Sequence, residues 1–251
     1  MKRMLIAGVF VLTAAGPALA ADMPAPYPAP QPPASYYPTA APVLNFNWGG
    51  LYVGANGGYG FGTSSWSAPA IVSPPAPSPS PAVATGSFSA RGMLAGGTVG
   101  LNWQADAFVF GIEADGDWTN LNGNGSSAPY CTAGKTCQTT SPIFGTLRAR
   151  FGYAFGRVLV YGTGGVADAE VRAGFNPPGT FDYANNFGWT GGAGIEVAFA
   201  DNWTAKVEYL YAGLGTMTCS SAVNCGTSVP VAVSLSENIV RAGINYKFGP
   251  W

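Results

Sequence analysis

No histidine occurs anywhere in the 251 residues. That excludes Ser-His-Asp and Cys-His nucleophile mechanisms and every histidine-bearing zinc site. Charge is nearly as scarce. Charged side chains make up 9% of the chain, against about 25% in an ordinary soluble domain, so a water-exposed surface of this size would be poorly solvated. Basic residues number 11 and acidic residues 12, with no basic patch, which argues against nucleic acid as a partner. Beyond the first twenty residues there is no run of eighteen apolar residues, so no transmembrane helix can be placed.

What is present is glycine, aromatics and alternation. The chain has 36 Gly, 14 Phe, 12 Tyr and 7 Trp. Residues 1–20 read as a secretory signal: Lys2 and Arg3, an apolar run from Met4 to Ala15, a break at Gly16-Pro17, then Ala18-Leu19-Ala20 as the cleavage site. Residues 21–47 are proline-rich and read as an extended periplasmic segment.

From Trp48 onward the same pattern recurs eight times. The last repeat states it best: Val240, Ala242, Ile244, Tyr246 and Phe248 share one parity, Arg241, Gly243, Asn245 and Lys247 the other, so an extended chain has one oily and one largely polar edge. The strands are expected at about 48–62, 88–103, 108–118, 143–155, 158–170, 186–199, 203–212 and 238–248. In the fifth, Leu159, Tyr161, Thr163 and Ala167 are assigned to the oily edge. No helix or second layer is available to cover eight oily edges, so lipid is their simplest partner, and only a closed barrel satisfies every backbone group there. The fold class expected over 48–248 is an all-β, eight-stranded antiparallel up-and-down transmembrane β-barrel in the outer membrane, with 249–251 as a tail. Trp48, Trp103, Trp118, Trp189 and Trp203 lie near strand ends and are assigned to the aromatic girdles at the two membrane interfaces.

The connections alternate. Long ones are expected at about 63–87, 119–142, 171–185 and 213–235, and tight ones at 104–107, 156–157 and 200–202. Long outer loops and short periplasmic turns are the pattern of bacterial barrels, and a secreted β-sandwich or lipocalin-like cup has no reason to follow it. Four cysteines form two close pairs, Cys131 with Cys137 and Cys219 with Cys225, in the second and fourth outer loops. An oxidising compartment favours two short disulfides. The spacing differs from that of a zinc site, and no histidine is present to complete one.

Ten charged residues fall on the inward parity: Glu113, Asp115, Asp117, Glu196 and Glu208 against Arg148, Arg150, Lys206, Arg241 and Lys247. Neighbouring strands bring Glu113 and Asp115 to Arg148 and Arg150, and Glu208 to Arg241, leaving Lys206 or Lys247 to reach across. An eight-stranded barrel is just wide enough to be filled by side chains, so these charges are expected to plug it. The rival is a narrow or gated diffusion pore in which they line water. Glu113, Asp115 and Asp117 also allow a carboxylate acid/base pair on paper. Gly162 to Gly165 and Gly191 to Gly194 lack the Lys-Ser/Thr of a phosphate loop, and 115–125 lacks the final Glu of a calcium loop. No catalytic, cofactor or metal residue is assigned.

The residues also resemble a known group. Phe46 to Gly54, Phe110 to Asp115, Gly145 to Tyr153, Tyr161 to Gly165, Gly191 to Glu196 and Val240 to Phe248 are together similar to the small outer-membrane β-barrel proteins of alpha-class Gram-negative bacteria. These are the porin-family or opacity-type proteins, with the architecture of the OmpA membrane domain. The resemblance implies envelope proteins with structural and host-facing roles and brings no catalytic residue. It departs at Gly249-Pro250-Trp251, which follow the closing Phe248, and at the proline-rich first loop and the cysteine pairs. The expected partners are outer-membrane lipid and lipopolysaccharide, with the barrel-assembly machinery reading the C-terminal strand. The sequence names no loop partner.

Overall fold

The computed structural model describes residues 46–68, 83–126, 136–176, 179–219 and 231–249. The expected signal at 1–20, nearly all of the proline-rich segment, Cys131, Cys225 and the last two residues lie outside the described residues. Eight strands follow in order: β1 (Gly50–Ala68), β2 (Val83–Ala105), β3 (Phe108–Gly125), β4 (Thr136–Phe155), β5 (Val158–Asn176), β6 (Thr180–Ala198), β7 (Trp203–Cys219) and β8 (Val231–Phe248). Each pairs antiparallel with its sequence neighbours, and β1 pairs with β8, closing the barrel.

The register fixes the tilt. Tyr52 stands opposite Gly100, and the row continues through Glu113, Arg148, Gly165, Thr190, Ala212 and Glu237. Glu237 meets β1 again at Gly62, ten residues beyond the start. That stagger forces the strands well off the barrel axis, by about 35–45°. At one end the connections are tight, with Asp106 and Gly156 at φ of 54° and 62° opening two-residue turns. Asp and Gly both tolerate that left-handed backbone.

The strands, of 17 to 23 residues, are longer than the sequence alternation suggested. About ten tilted residues cross the 25 Å apolar band, so each strand continues well past it. The connection expected at 171–185 shrinks to 177–179, since Phe175 already pairs with Thr180. The reason lies in polarity. In the half with the tight turns, oily side chains face out and charges face in. Toward the other end the parity persists but the chemistry reverses: Val231, Val233 and Leu235 are buried inside β8, and Ser234 and Ser236 stand outside. Trp66, Leu121, Phe144, Leu214 and Met217 join them in one apolar interior cluster. On β8 and β1 such stretches look like loops only to a reading that expects oil outside.

Two further expectations are corrected. Strand five was assigned the wrong parity: Leu159, Tyr161 (3% exposed) and Ala167 face inward, while Val160 and Val166 are on the outer wall. Glycine on both edges left few landmarks there, and Tyr161 has an oily ring with a polar tip that belongs among charges. Trp48 is not a girdle residue. It is 1% exposed and packs edge-on against Phe46 inside the turn-end mouth. Trp103, Trp118, Trp189 and Trp203 are all exposed on the outer wall.

Candidate functional site

Inward parity on neighbouring strands concentrates the charged residues in one layer. Arg148 on β4 is its hub. Its Nη2 donates to Glu113 at 2.5 Å and Asp115 at 2.6 Å on β3, and its Nη1 donates across the barrel to Glu208 on β7 at 2.7 Å. Its Nε donates to Thr146, whose hydroxyl donates on to Asp115 at 2.9 Å. Arg241 on β8 answers from the other side, donating to Asp115 at 2.5 Å, Asp117 at 3.0 Å and Glu208 at 3.3 Å. Lys206 reaches across to Glu113 at 2.8 Å.

Arg150 sits one pair nearer the turns. It donates to Glu196 at 2.7 Å and to the Tyr52 hydroxyl at 2.8 Å, with its guanidinium 4.0 Å from the centre of the Tyr161 ring. Its contact with Glu113 is longer, at 3.5 Å. Glu196 also accepts from Thr204 at 2.5 Å and Asn245 at 2.9 Å. Nine of the ten sequence-predicted charged residues are therefore buried in one connected network. The tenth, Lys247, stands apart: it donates to the backbone carbonyls of Asn47 and Gly49 and lies 4.8 Å from the Phe46 ring.

Sequence reasoning missed the two tyrosines. The Tyr52 hydroxyl donates to Glu113 at 2.7 Å, and that of Tyr161 donates to Glu208 at 3.3 Å. Tyr52 shares the parity of Asn56, so its inward position was there to be read. Glu237 was also passed over. It is buried between Leu235 and Ile239, and its Oε1 has no hydrogen-bond partner among the described residues. Of the predicted cysteines, Cys137 and Cys219 are buried at the ends of β4 and β7 away from the tight turns.

The charged layer is closed on both sides. Away from the tight turns Leu94, Leu121, Phe144, Leu210 and Ile239 belong to the large apolar cluster. Toward the turns Phe46, Trp48, Val109, Leu159 and Ala198 form a second. The segment before β1 closes that mouth, for Trp48 donates from its indole to the Gly156 carbonyl at 3.2 Å and its backbone amide meets Gln104 at 2.6 Å. Charges so desolvated persist only where each is matched and hydrogen-bonded. Every carboxylate of the layer is held by a cation, an arrangement suited to rigidity.

An oily outer wall, a charged and buried lumen and a closed antiparallel sheet define a β-barrel that crosses a membrane. The outer membrane protein beta-barrel domain model matches residues 34–248, and the chain belongs to that family. It is 35% identical to a 31 kDa outer-membrane immunogenic protein of Brucella melitensis over 99% of this chain and all of that one. It is 29% identical to a 25 kDa outer-membrane immunogenic protein of Brucella abortus over 99% of both. Among solved structures it is similar to Neisserial surface protein A, at a TM-score of 0.42 and 12% identity, over 79% of this chain and 97% of that one. The protein resides in the outer membrane, as a small barrel of the alpha-proteobacterial type.

Proposed function

We propose that the chain is a sealed, non-enzymatic structural barrel that strengthens the outer membrane and presents its outer rim at the cell surface. The observation that carries this reading is the layered lumen, in which a buried ion-pair network lies between two apolar clusters. The two apolar clusters stand above and below the charged layer, where they oppose the passage of water. A substrate has no open approach to Glu113 or Asp115, each already engaged by two or more partners. The curated relatives are named as immunogenic outer-membrane proteins, which accords with a rim that is reached from outside.

The pairs Cys131–Cys137 and Cys219–Cys225 act in this reading as disulfides that brace the rim. No described cysteine is free, and peptide masses with and without reduction test the pairing. At the other end of the chain β8, terminating at Phe248 on the lipid-facing wall, is the strand offered to the assembly machinery.

Planar-bilayer recording decides between this and the diffusion pore. The wild type is expected to be silent. Stable conductance in the wild type, altered in size or ion selectivity by Arg148→Ala with Arg150→Ala, would sink the sealed-barrel reading.

A further inference from the structure

Above the apolar belt, the outer wall formed by β8, β1, β2 and β3 differs from the rest of the surface. Cross-strand pairing sets Ser234, Ser65 and Ser87 in one row and Ser236, Thr63 and Ser89 in the next. Asn122 and Asn124 extend the same face on β3. These side chains are exposed or half-exposed, and no hydrogen bond among the described residues engages the six hydroxyls. Below them Arg91 pairs with Phe61 and Asn122, two residues above the lipid-facing Met93, and makes no ion pair among the described residues. On this wall it is the single charged side chain described. The opposite wall differs: β5 carries Asp168, Glu170 and Arg172 outward, the last two bridged at 2.6 Å, and β6 carries the bare rings of Tyr183 and Phe187.

Each hydroxyl offers a donor and acceptors, and a broad wall of them with almost no charge is unusual for a surface in bulk water. Its position supplies the occupant. The belt directly beneath is the interface with hydrocarbon, so the layer continuous with it is the headgroup of the same lipid. In the outer leaflet of an outer membrane that headgroup is a phosphorylated oligosaccharide. Sugar hydroxyls match Ser, Thr and Asn, and a guanidinium at the hydrocarbon edge matches phosphate through charge-assisted hydrogen bonds.

We propose that the β8–β1–β2–β3 wall binds outer-leaflet lipopolysaccharide, its hydroxyl rows contacting core sugars and Arg91 a phosphate. The proposal rests on the outer-membrane placement and not on the sealed lumen. The test uses the full chain, folded in detergent and titrated either with lipopolysaccharide or with phosphatidylglycerol vesicles, an anionic lipid without sugar. The readout is the unfolding midpoint from heat-dependent gel mobility, because a ligand of the folded state raises it. Lipopolysaccharide is expected to raise the wild-type midpoint above the phosphatidylglycerol level. Arg91→Ala weakens its apparent affinity several-fold, Ser65→Glu with Ser87→Glu removes the sugar-dependent part, and Asn185→Glu on the far wall changes nothing. Equal responses to the two lipids, or wall variants that titrate like wild type, would overturn it. If the double Glu variant does not fold, Ser65→Ala with Ser87→Ala decides in the same assay. A conducting wild type would defeat the sealed-barrel reading and leave this one standing.

Discussion

Arg148 touches carboxylates on both sides of the lumen, and its three contacts, all at 2.7 Å or less, are shorter as a set than those Arg241 makes to the same groups. Its removal leaves Glu113, Asp115 and Glu208 with fewer cations in a dry site, and uncompensated buried charge costs about 3–5 kcal/mol. Arg148→Ala is expected to lower stability by that order in urea unfolding from detergent, and a loss under about 1 kcal/mol would mean that water reaches the layer. Glu237 is the opposite case. Its Oε1 is buried and has no partner among the described residues, which costs about 1–3 kcal/mol, so Glu237→Leu is expected to stabilise the barrel by a similar amount in the same assay. Residue placement was largely legible in the sequence: strict parity put the ten charges inside, because a lipid-facing Arg or Lys at midplane costs about 2–4 kcal/mol. Their partners were legible only between adjacent strands. The contacts from Arg148 to Glu208 and from Lys206 to Glu113 cross the lumen, and such closeness depends on barrel stagger and diameter, which no local pattern encodes.

At the scale of the strand, one side of the sheet keeps its direction while its chemistry changes along the length. On β8, Val233 is inside and Ser234 outside, yet seven residues after Ser234 the inward residue is Arg241, with Val240 facing lipid. Val233→Asp is therefore expected to destabilise the barrel by several kcal/mol, since an unpaired carboxylate would enter an apolar interior. Ser234→Asp is expected to change stability by less than about 0.5 kcal/mol, and the two are compared by denaturant midpoint. Equal effects would mean that this part of β8 is not packed. The reversal also explains why the strands were read as ending early, for hydroxyls on the outer edge and valines on the inner one break the rule by which the membrane part was recognised. β5 was misread for a different reason. In Gly162-Thr163-Gly164-Gly165 neither edge has the bulk that sets parity, and the register with β4 and β6 decides it.

For the whole molecule, the count of eight and the up-and-down order followed from spacing alone, whereas the height of the barrel did not. The polar outer walls of β1 and β2 stand above the hydrocarbon belt, so Ser65→Cys is expected to react with a membrane-impermeant maleimide on intact cells and Ala242→Cys, within the belt, to stay unlabelled. With no free cysteine among the described residues, background is expected to be low, and a Ser65→Cys that stays unlabelled on intact cells but reacts after lysis would invert the orientation.

The reversal along β8 and β1 has one more consequence. A barrel whose oily residues trailed off gradually at either edge could shift in a bilayer at modest cost. Here, sinking by one residue pair, about 5 Å along the axis, would drag the serine rows beneath the surface, and rising by as much would lift Phe61, Trp118 and Phe187 into water. The protein thus has a waterline drawn on its hull, and membranes of unsuitable thickness are expected to buckle around it before it moves.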